Sequence, residues 1–354
     1  MTTWNTDLLE AVAAMAERTG IDTTTPAEGP DRALWAALTE AGFTGIGIPE
    51  ERGGSGGDET DALSVVHAVT ARAALTMLVE HTALASRLIA ECTGGPAAGP
   101  ATLAVADHCT LRETADGIVL DGTATGVVHG SDAQLLVLVL PAAEPGERPS
   151  VAIVAAGAPG ITVDRGTDLL GAALDDYRFA GTPAELHESP ISGDGLTERG
   201  ALAYAVALTA AAGTVRDLTL RYAAERTQFG RPLAKFQAVQ QRLAGLAALT
   251  ALMETAVAAA AGDAISRRTA VAAAKVITSG AAREIAAAGH QLHGAIGFTA
   301  EHSLGRSTTA LWSWRDRYGS ERYWSEVLAG QILDGGADPW DLITGSIAAE
   351  ETPR

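Results

Sequence analysis

The 354-residue chain has only two cysteines, Cys92 and Cys109, and they form neither a redox pair nor a metal-binding spacing. A disulfide framework is thereby excluded, and both are expected to be reduced thiols of a cytoplasmic protein. Positive charge is also scarce: 25 Lys and Arg stand against 43 Asp and Glu, a net charge of −18. Such a surface repels a phosphate backbone, so nucleic acid is not an expected partner. No cationic stretch leads into an apolar run at the N-terminal end, so no secretory signal is expected. The longest nearly uninterrupted apolar stretch, 201–215, is Ala-rich and too short to span a bilayer, so no membrane partner is expected. The eight histidines show no metal-ligand spacing, and no metal site is expected. Gly53-Gly54-Ser55-Gly56-Gly57 matches the Gly-x-Ser-x-Gly pattern of a nucleophile elbow, but it follows a helix and Pro49-Glu50 instead of a strand. Ser55 is therefore read as structural.

What is present is apolar residue, 47% of the chain, enough for more than one core. Up to about residue 95 the pattern is helical. Asp31 to Phe43 places Leu34, Trp35, Leu38 and Phe43 at helical spacing, with Asp31 as a candidate N-cap and Gly42 at the end. Thr60 to Cys92 has the length and Ala/Leu content of two buried helices, and TGGPAAGP (93–100) breaks the pattern. From Ala101 to about Pro190 short Val/Ile/Leu runs (TLAVAD, GIVLDGTA, AQLLVLVLP, SVAIVAA, GITVDR) alternate with Gly, Pro and Asp clusters. They predict a small antiparallel sheet or barrel, because no crossover helices lie between them. From Leu196 long Ala/Leu-rich stretches (201–225, 235–261, 265–293, 320–333) predict a four-helix bundle. The fold class is α+β, in three parts: an N-terminal helical domain (1–98), a middle β domain (99–192) and a C-terminal bundle (193–354). The tail after Gly335 is expected to fray.

Three segments carry a resemblance. Tyr222 to Gln237 reads YAAERTQFGRPLAKFQ, Gln291 to Phe298 reads QLHGAIGF, and the early LTEAGFTGIGIPEERGGSGGD joins a helix to a Gly-rich loop. In this order they resemble the acyl-CoA dehydrogenase family, whose helical, β, helical layout is the one deduced above. The GFTAEH wording is most similar to the actinobacterial branch that degrades steroid side chains. The resemblance implies an FAD-dependent oxidoreductase in which these segments reach across a subunit interface to the adenosine and pyrophosphate half of the neighbour's FAD. On that footing Arg226, Gln228, Phe229, Leu233, Phe236, Gln291, Leu292, Gly294 and Ala295 are the expected cofactor-binding residues. The chemistry suits the role: a guanidinium fork matches pyrophosphate, and small residues let backbone come close. The plainer alternative pairs Arg226 with Glu225 and leaves the glycines to helix packing.

The parts of the family's own-chain site are missing. The carboxylate base is expected in a Tyr-Glu-Gly-Thr segment, which here falls on Arg317-Tyr318-Gly319-Ser320. Tyr318 takes the base position, and a phenol with a pKa of about 10 is a poor proton acceptor at neutral pH. A minority of the family carries the base on the first bundle helix, near Gly200. Glu198 lies close by, but beside Arg199 it reads as a helix-start acid. The Trp-Ile-Thr that flanks the flavin ring is replaced by Gly126-Val127-Val128. Trp312, Trp314 and Trp324 cluster around the lost base and either plug the pocket or form an interface. His293 and His302 flank the cofactor-contacting segment, and a polar contact of His302 with Glu301 is expected. The resemblance therefore implies a non-catalytic subunit of a heterotetrameric acyl-CoA dehydrogenase. It would share FAD with a homologous catalytic partner that binds most of the acyl-CoA. Two alternatives stay open: an active homo-oligomer using Glu198 or another base, and a non-redox protein built on the same fold.

Overall fold

A computed structural model of the chain describes residues 4–21, 29–142, 148–262, 266–300 and 302–334, together with 336, 338 and 340. The tail expected to fray, apart from residues 336, 338 and 340, and the Glu301 contact expected of His302 lie outside the described residues. The N-terminal part packs α1 (Thr6–Thr19), α2 (Arg32–Glu40) and α3 (Glu59–Thr70) together. The second helix of the Thr60 to Cys92 stretch opens as a seven-residue π-helical segment (Val79–Ala85), every residue of it buried, before becoming α4 (Ser86–Thr93). Asp31 occupies the N-cap position of α2 without capping it. Its carboxylate accepts from the Leu75 N–H at 2.6 Å and from buried Arg306 at 3.1 Å. The early acid thus ties the helix to the C-terminal half of the chain.

The middle part is two four-stranded sheets. One has the order β1 (Ala101–Val105), β4 (Leu135–Leu140), β5 (Ser150–Ala155), β8 (Glu185–Glu188), and the other β2 (His108–Thr114), β3 (Gly117–Val128), β7 (Leu174–Pro183), β6 (Ile161–Asp164). Every pair is antiparallel, as expected, except β1 with β4, which is parallel. No crossover helix is needed because the β2–β3 hairpin on the second sheet makes the return. Strand β4 explains its own unbroken apolar sequence. Leu136, Leu138 and Leu140 face the core between the sheets, while Val137 and Val139 join the core shared with the helices.

The C-terminal part holds α5 (Gly193–Glu225), α6 (Gln237–Ala260), α7 (Arg267–His293), α8 (Leu304–Trp314) and α9 (Glu321–Leu333). Helix α8 was not expected, and it packs on α5 and α7. An 18-residue window of α6 has mean hydropathy 1.7, and only 33% of that window is buried. It exceeds the 201–215 stretch as an apolar segment. Among the described residues it is the one helix long and apolar enough to cross a membrane by length and composition alone.

A lattice of ion pairs clamps α3, α4, α5 and α7. Glu59 meets Arg87 at 2.7 Å and Arg267 at 2.7 Å, Arg199 meets Glu91 at 3.1 Å, and Arg267 reaches Glu198 at 3.7 Å. Burial pushes the Glu59 carboxyl up, but the hydrogen bonds and charges of Arg267 and Arg87 outweigh it and hold it at about 2, against an ordinary 4.5. Burial also holds His67 and His81 neutral, with pKa values of about 4 against an ordinary 6.5. All three groups bind fewer protons folded than unfolded, so their stability is present at neutral pH and lost on acidification. The histidine share goes between pH 6.5 and 4 and the Glu59 share between 4.5 and 2. Thermal unfolding followed from pH 8 to pH 3 should show Tm falling in two stages. Glu59→Gln should lower Tm at neutral pH and flatten the lower stage; the full lower stage persisting in that variant would contradict the assignment.

Candidate functional site

The two places where a base is expected meet in space. Gly200, on the buried face of α5, lies directly under the ring of Tyr318. A Cβ at residue 200 would stand 2.3 Å from the Cγ and Cδ1 atoms of that ring. Tyr318 is held in the left-handed region (φ 51), which a non-glycine residue adopts at a cost of about 1 kcal/mol or more. The Nε1–H of buried Trp324 donates to its carbonyl at 2.9 Å. One turn along α5, Tyr204 stacks on Tyr318 (5.8 Å, 29° between planes) and meets Trp314 edge-on at 6.5 Å. Of the three tryptophans, Trp314 and Trp324 fill this region. Trp312 is 43% exposed beside Arg315, so it belongs to the surface.

Behind Tyr204 lies a carboxylate absent from the sequence reading. Glu80, on the π-helical segment, is 1% exposed and accepts the Tyr204 hydroxyl. Its signal in the sequence was a lone acid in the apolar run MLVEHTALA. Burial first, and then the Glu80 charge, pushes the Tyr318 phenol far above its ordinary 10, so it stays protonated and no base. Next to Tyr318, Arg317 pairs with Asp168 at 2.8 Å, and the Asp168 carboxylate also collects the N–H groups of Leu170, Gly171 and Ala172. This buried pair pins the base-position loop to the β domain. Glu198 is not brought to the site: it sits among the ion pairs of α5 and α7, partnered by Arg267.

A cleft of about 450 Å³ separates Tyr318 from the sheets, lined by Leu103, Val105, Gly126, Val128 and Leu174 opposite Asp316 and Arg317. A flavin ring would need a stacking surface and hydrogen-bond donors here. The β wall offers aliphatic side chains and the exposed Thr125 hydroxyl, and the Gly126 N–H is already spent on Asp176 at 2.7 Å. That wall carries no aromatic face on which an isoalloxazine could stack. Ser55 is likewise committed, its hydroxyl donating to the Gly42 carbonyl at 2.6 Å. Among the described residues no three His, Cys, Asp or Glu side chains group as metal ligands do.

The outward-facing segments differ in kind. Arg226 ends α5, and its carbonyl accepts from Leu233 N–H at 2.9 Å. Its side chain is exposed and makes no ion pair among the described residues, with Glu225 or any other acid. A two-residue hairpin follows, Thr227–Gln228 against Arg231–Pro232. Its turn, Phe229 (φ 52) and Gly230 (φ 79), has positive φ at both positions, as a type I′ hairpin requires. Phe229 is 90% exposed, edge-on to Phe236, whose ring lies 4.2 Å from the Arg231 guanidinium. Leu233 is half-buried in the turn leading to α6. At the end of α7, Gln291 is exposed, Leu292 half-buried, and Gly294 (φ 64) turns the chain to exposed Ala295. The Tyr222–His293 stack, 4.5 Å between ring centres, holds the two segments side by side. A strongly acidic chain thus displays an exposed cation, Arg226, and a bare aromatic, Phe229, on one surface, chemistry that suits an anionic, aromatic ligand.

Comparison with known proteins agrees with this architecture. The acyl-CoA dehydrogenase N-terminal domain profile matches residues 5–94, and the C-terminal domain profile matches residues 196–338. Acyl-CoA dehydrogenase IpdE2 of Mycobacterium tuberculosis is 32% identical over 282 residues, 78% of this chain and 79% of that protein. Among solved structures, the ChsE4–ChsE5 complex of Mycobacterium tuberculosis superposes with a TM-score of 0.83 at 22% identity, covering 94% of this chain and 99% of that one. The Tcur3481–Tcur3483 steroid ACAD gives 0.80 at 22% identity, over 94% and 98%. With its helical, β and helical parts in this order and both profiles in place, the chain belongs to the acyl-CoA dehydrogenase family.

Proposed function

We propose that this chain is a non-catalytic subunit of a heteromeric FAD-dependent acyl-CoA dehydrogenase that acts in the cytoplasm on steroid side-chain CoA thioesters. In that role it provides the adenosine and pyrophosphate half of its partner's FAD site. One observation carries the reading: Tyr318 lies on Gly200, so both base positions are filled by a packed, protonated aromatic. The cofactor-facing residues Arg226, Phe229 and Gln291, by contrast, stay exposed. Flavin bound at the shared site would accept the substrate hydride, with the base supplied by the partner. Arg226 would hold pyrophosphate, Phe229 would face the adenine side, and Gln291 with the backbone at Gly294 and Ala295 would donate to the ribose and phosphate region. The apolar, largely exposed α6 is read as a face for a partner helix, not for lipid. The steroid assignment is supported by the GFTAEH segment and by the steroid ACAD among the structural neighbours.

An active site on this chain would need a carboxylate base, and the two acids nearest the expected base positions are Glu80 and Glu198. Glu80 is walled off by Tyr204 and Glu198 is paired, so neither is available. In the assembled complex, Glu80→Gln, which keeps an acceptor for Tyr204, and Glu198→Gln should leave turnover within about twofold. Loss of turnover in either variant, with flavin still bound, would move the chemistry onto this chain.

A further inference from the structure

The two outward-facing segments are joined by a cluster of imidazoles, of which only the stack of His293 on Tyr222 has been described so far. His293, the last residue of α7, is 3% exposed. Its Nδ1 lies 2.8 Å from the Gly289 carbonyl, which can only accept, so Nδ1 carries the proton and Nε2 is a bare acceptor. Among the described residues that Nε2 is buried without a partner. One ring face stacks on Tyr222, one turn before Arg226, and the edge of His302 meets the ring at 4.9 Å. His290, one turn back, stacks on Phe298 at 4.4 Å and faces Thr308 at 2.9 Å, and its Nδ1 is buried beside the Gly297 backbone.

We propose that His293 is the positioning residue that keeps the Arg226 hairpin and the Gln291–Ala295 turn in register, and that only its neutral form does so. The proposal rests on the shared-cofactor reading above and adds its pH control. A proton on Nε2 would enter a buried position with no acceptor. The titratable groups facing it are Tyr222 from α5, His290 on α7 and His302 from the turn before α8, while α8 presents apolar Leu304 to the same turn. No carboxylate among the described residues acts on it, and both other histidines repel a second positive charge. Burial first, and those histidines next, pull the His293 imidazole below its ordinary 6.5 despite the Gly289 hydrogen bond. When acid forces the proton on, the Tyr222–His293 stack should open. The pyrophosphate contact at Arg226 then loses its registration with Gln291.

The test uses the complex of this chain with its catalytic partner, equilibrated between pH 8 and pH 5. Flavin released is read by FAD fluorescence after ultrafiltration, and far-ultraviolet circular dichroism tracks the fold at each pH. The wild-type complex should release flavin with a midpoint below pH 6.5 while the fold persists. His293→Asn, which keeps a donor for Gly289 but does not titrate, should retain flavin at pH 8 and lose the release step. His293→Ala should weaken retention at every pH by about tenfold. Equal retention by wild type at pH 8 and pH 5, or an unchanged midpoint in His293→Asn, would overturn the proposal. Arg226→Ala separates the two readings. If it releases flavin while His293→Asn keeps the wild-type midpoint, only the pH control fails; if it changes nothing, the shared site fails too.

Discussion

Arg226→Ala is expected to strip flavin from the assembled complex while leaving this chain's own stability untouched. The guanidinium makes no ion pair among the described residues, so its removal leaves no partner group there, and surface changes of this kind stay within about 0.5 kcal/mol. Against a pyrophosphate, a charge-assisted fork contributes about 2–3 kcal/mol, so the flavin Kd should rise roughly 30- to 150-fold. Arg226→Lys should recover only part of this, because an ammonium cannot reproduce the two-point contact. Urea unfolding of the lone chain and flavin titration of the complex separate the two effects. A destabilised chain, or an unchanged Kd, would contradict the assignment of Arg226.

Gly200→Ala should be strongly destabilising although it adds a single methyl. The added methyl would stand 2.3 Å from the Tyr318 ring, and that ring is trapped between Tyr204 on one side and the Trp324 bond to its backbone. Overpacking of this sort costs about 2 kcal/mol. Tyr318→Ala removes a ring from the same space and should cost about 3 kcal/mol. The double variant should cost little more than Tyr318→Ala alone, because the methyl then enters the vacated volume, giving a coupling of about 2 kcal/mol. Additive losses in urea midpoints would mean that the ring does not rest on residue 200.

Much of this architecture could be read from the chain itself, and the failures have physical causes. Strands β4 and β5 announced themselves through unbroken apolar runs. Strand β7 did not, because Tyr177 and Phe179 point inward while Asp176 and Arg178 alternate outward, and Asp175 is a buried acid satisfied by Ser131. Helix α8 was hidden because its inward face includes Arg306, Ser307 and Thr308, and the partners of Arg306 and Thr308 include groups in distant segments. The replacement of the base by Tyr318 was visible as a departure from the family pattern. Its contact with Gly200 was not, since glycine shows only where a side chain is missing and not what fills the space. Glu80 was passed over for a related reason. An acid in an apolar helix has meaning only once its partner, Tyr204, is known.

The central claim is that this chain completes a flavin site without owning one. Flavin content per chain, measured by absorbance after purification of the lone chain and of its complex with the catalytic homologue, tests it most directly. The lone chain should be essentially free of flavin, and the complex should carry about one FAD for every two chains. Tightly bound FAD in the lone chain, or one FAD for every chain in the complex, would contradict it.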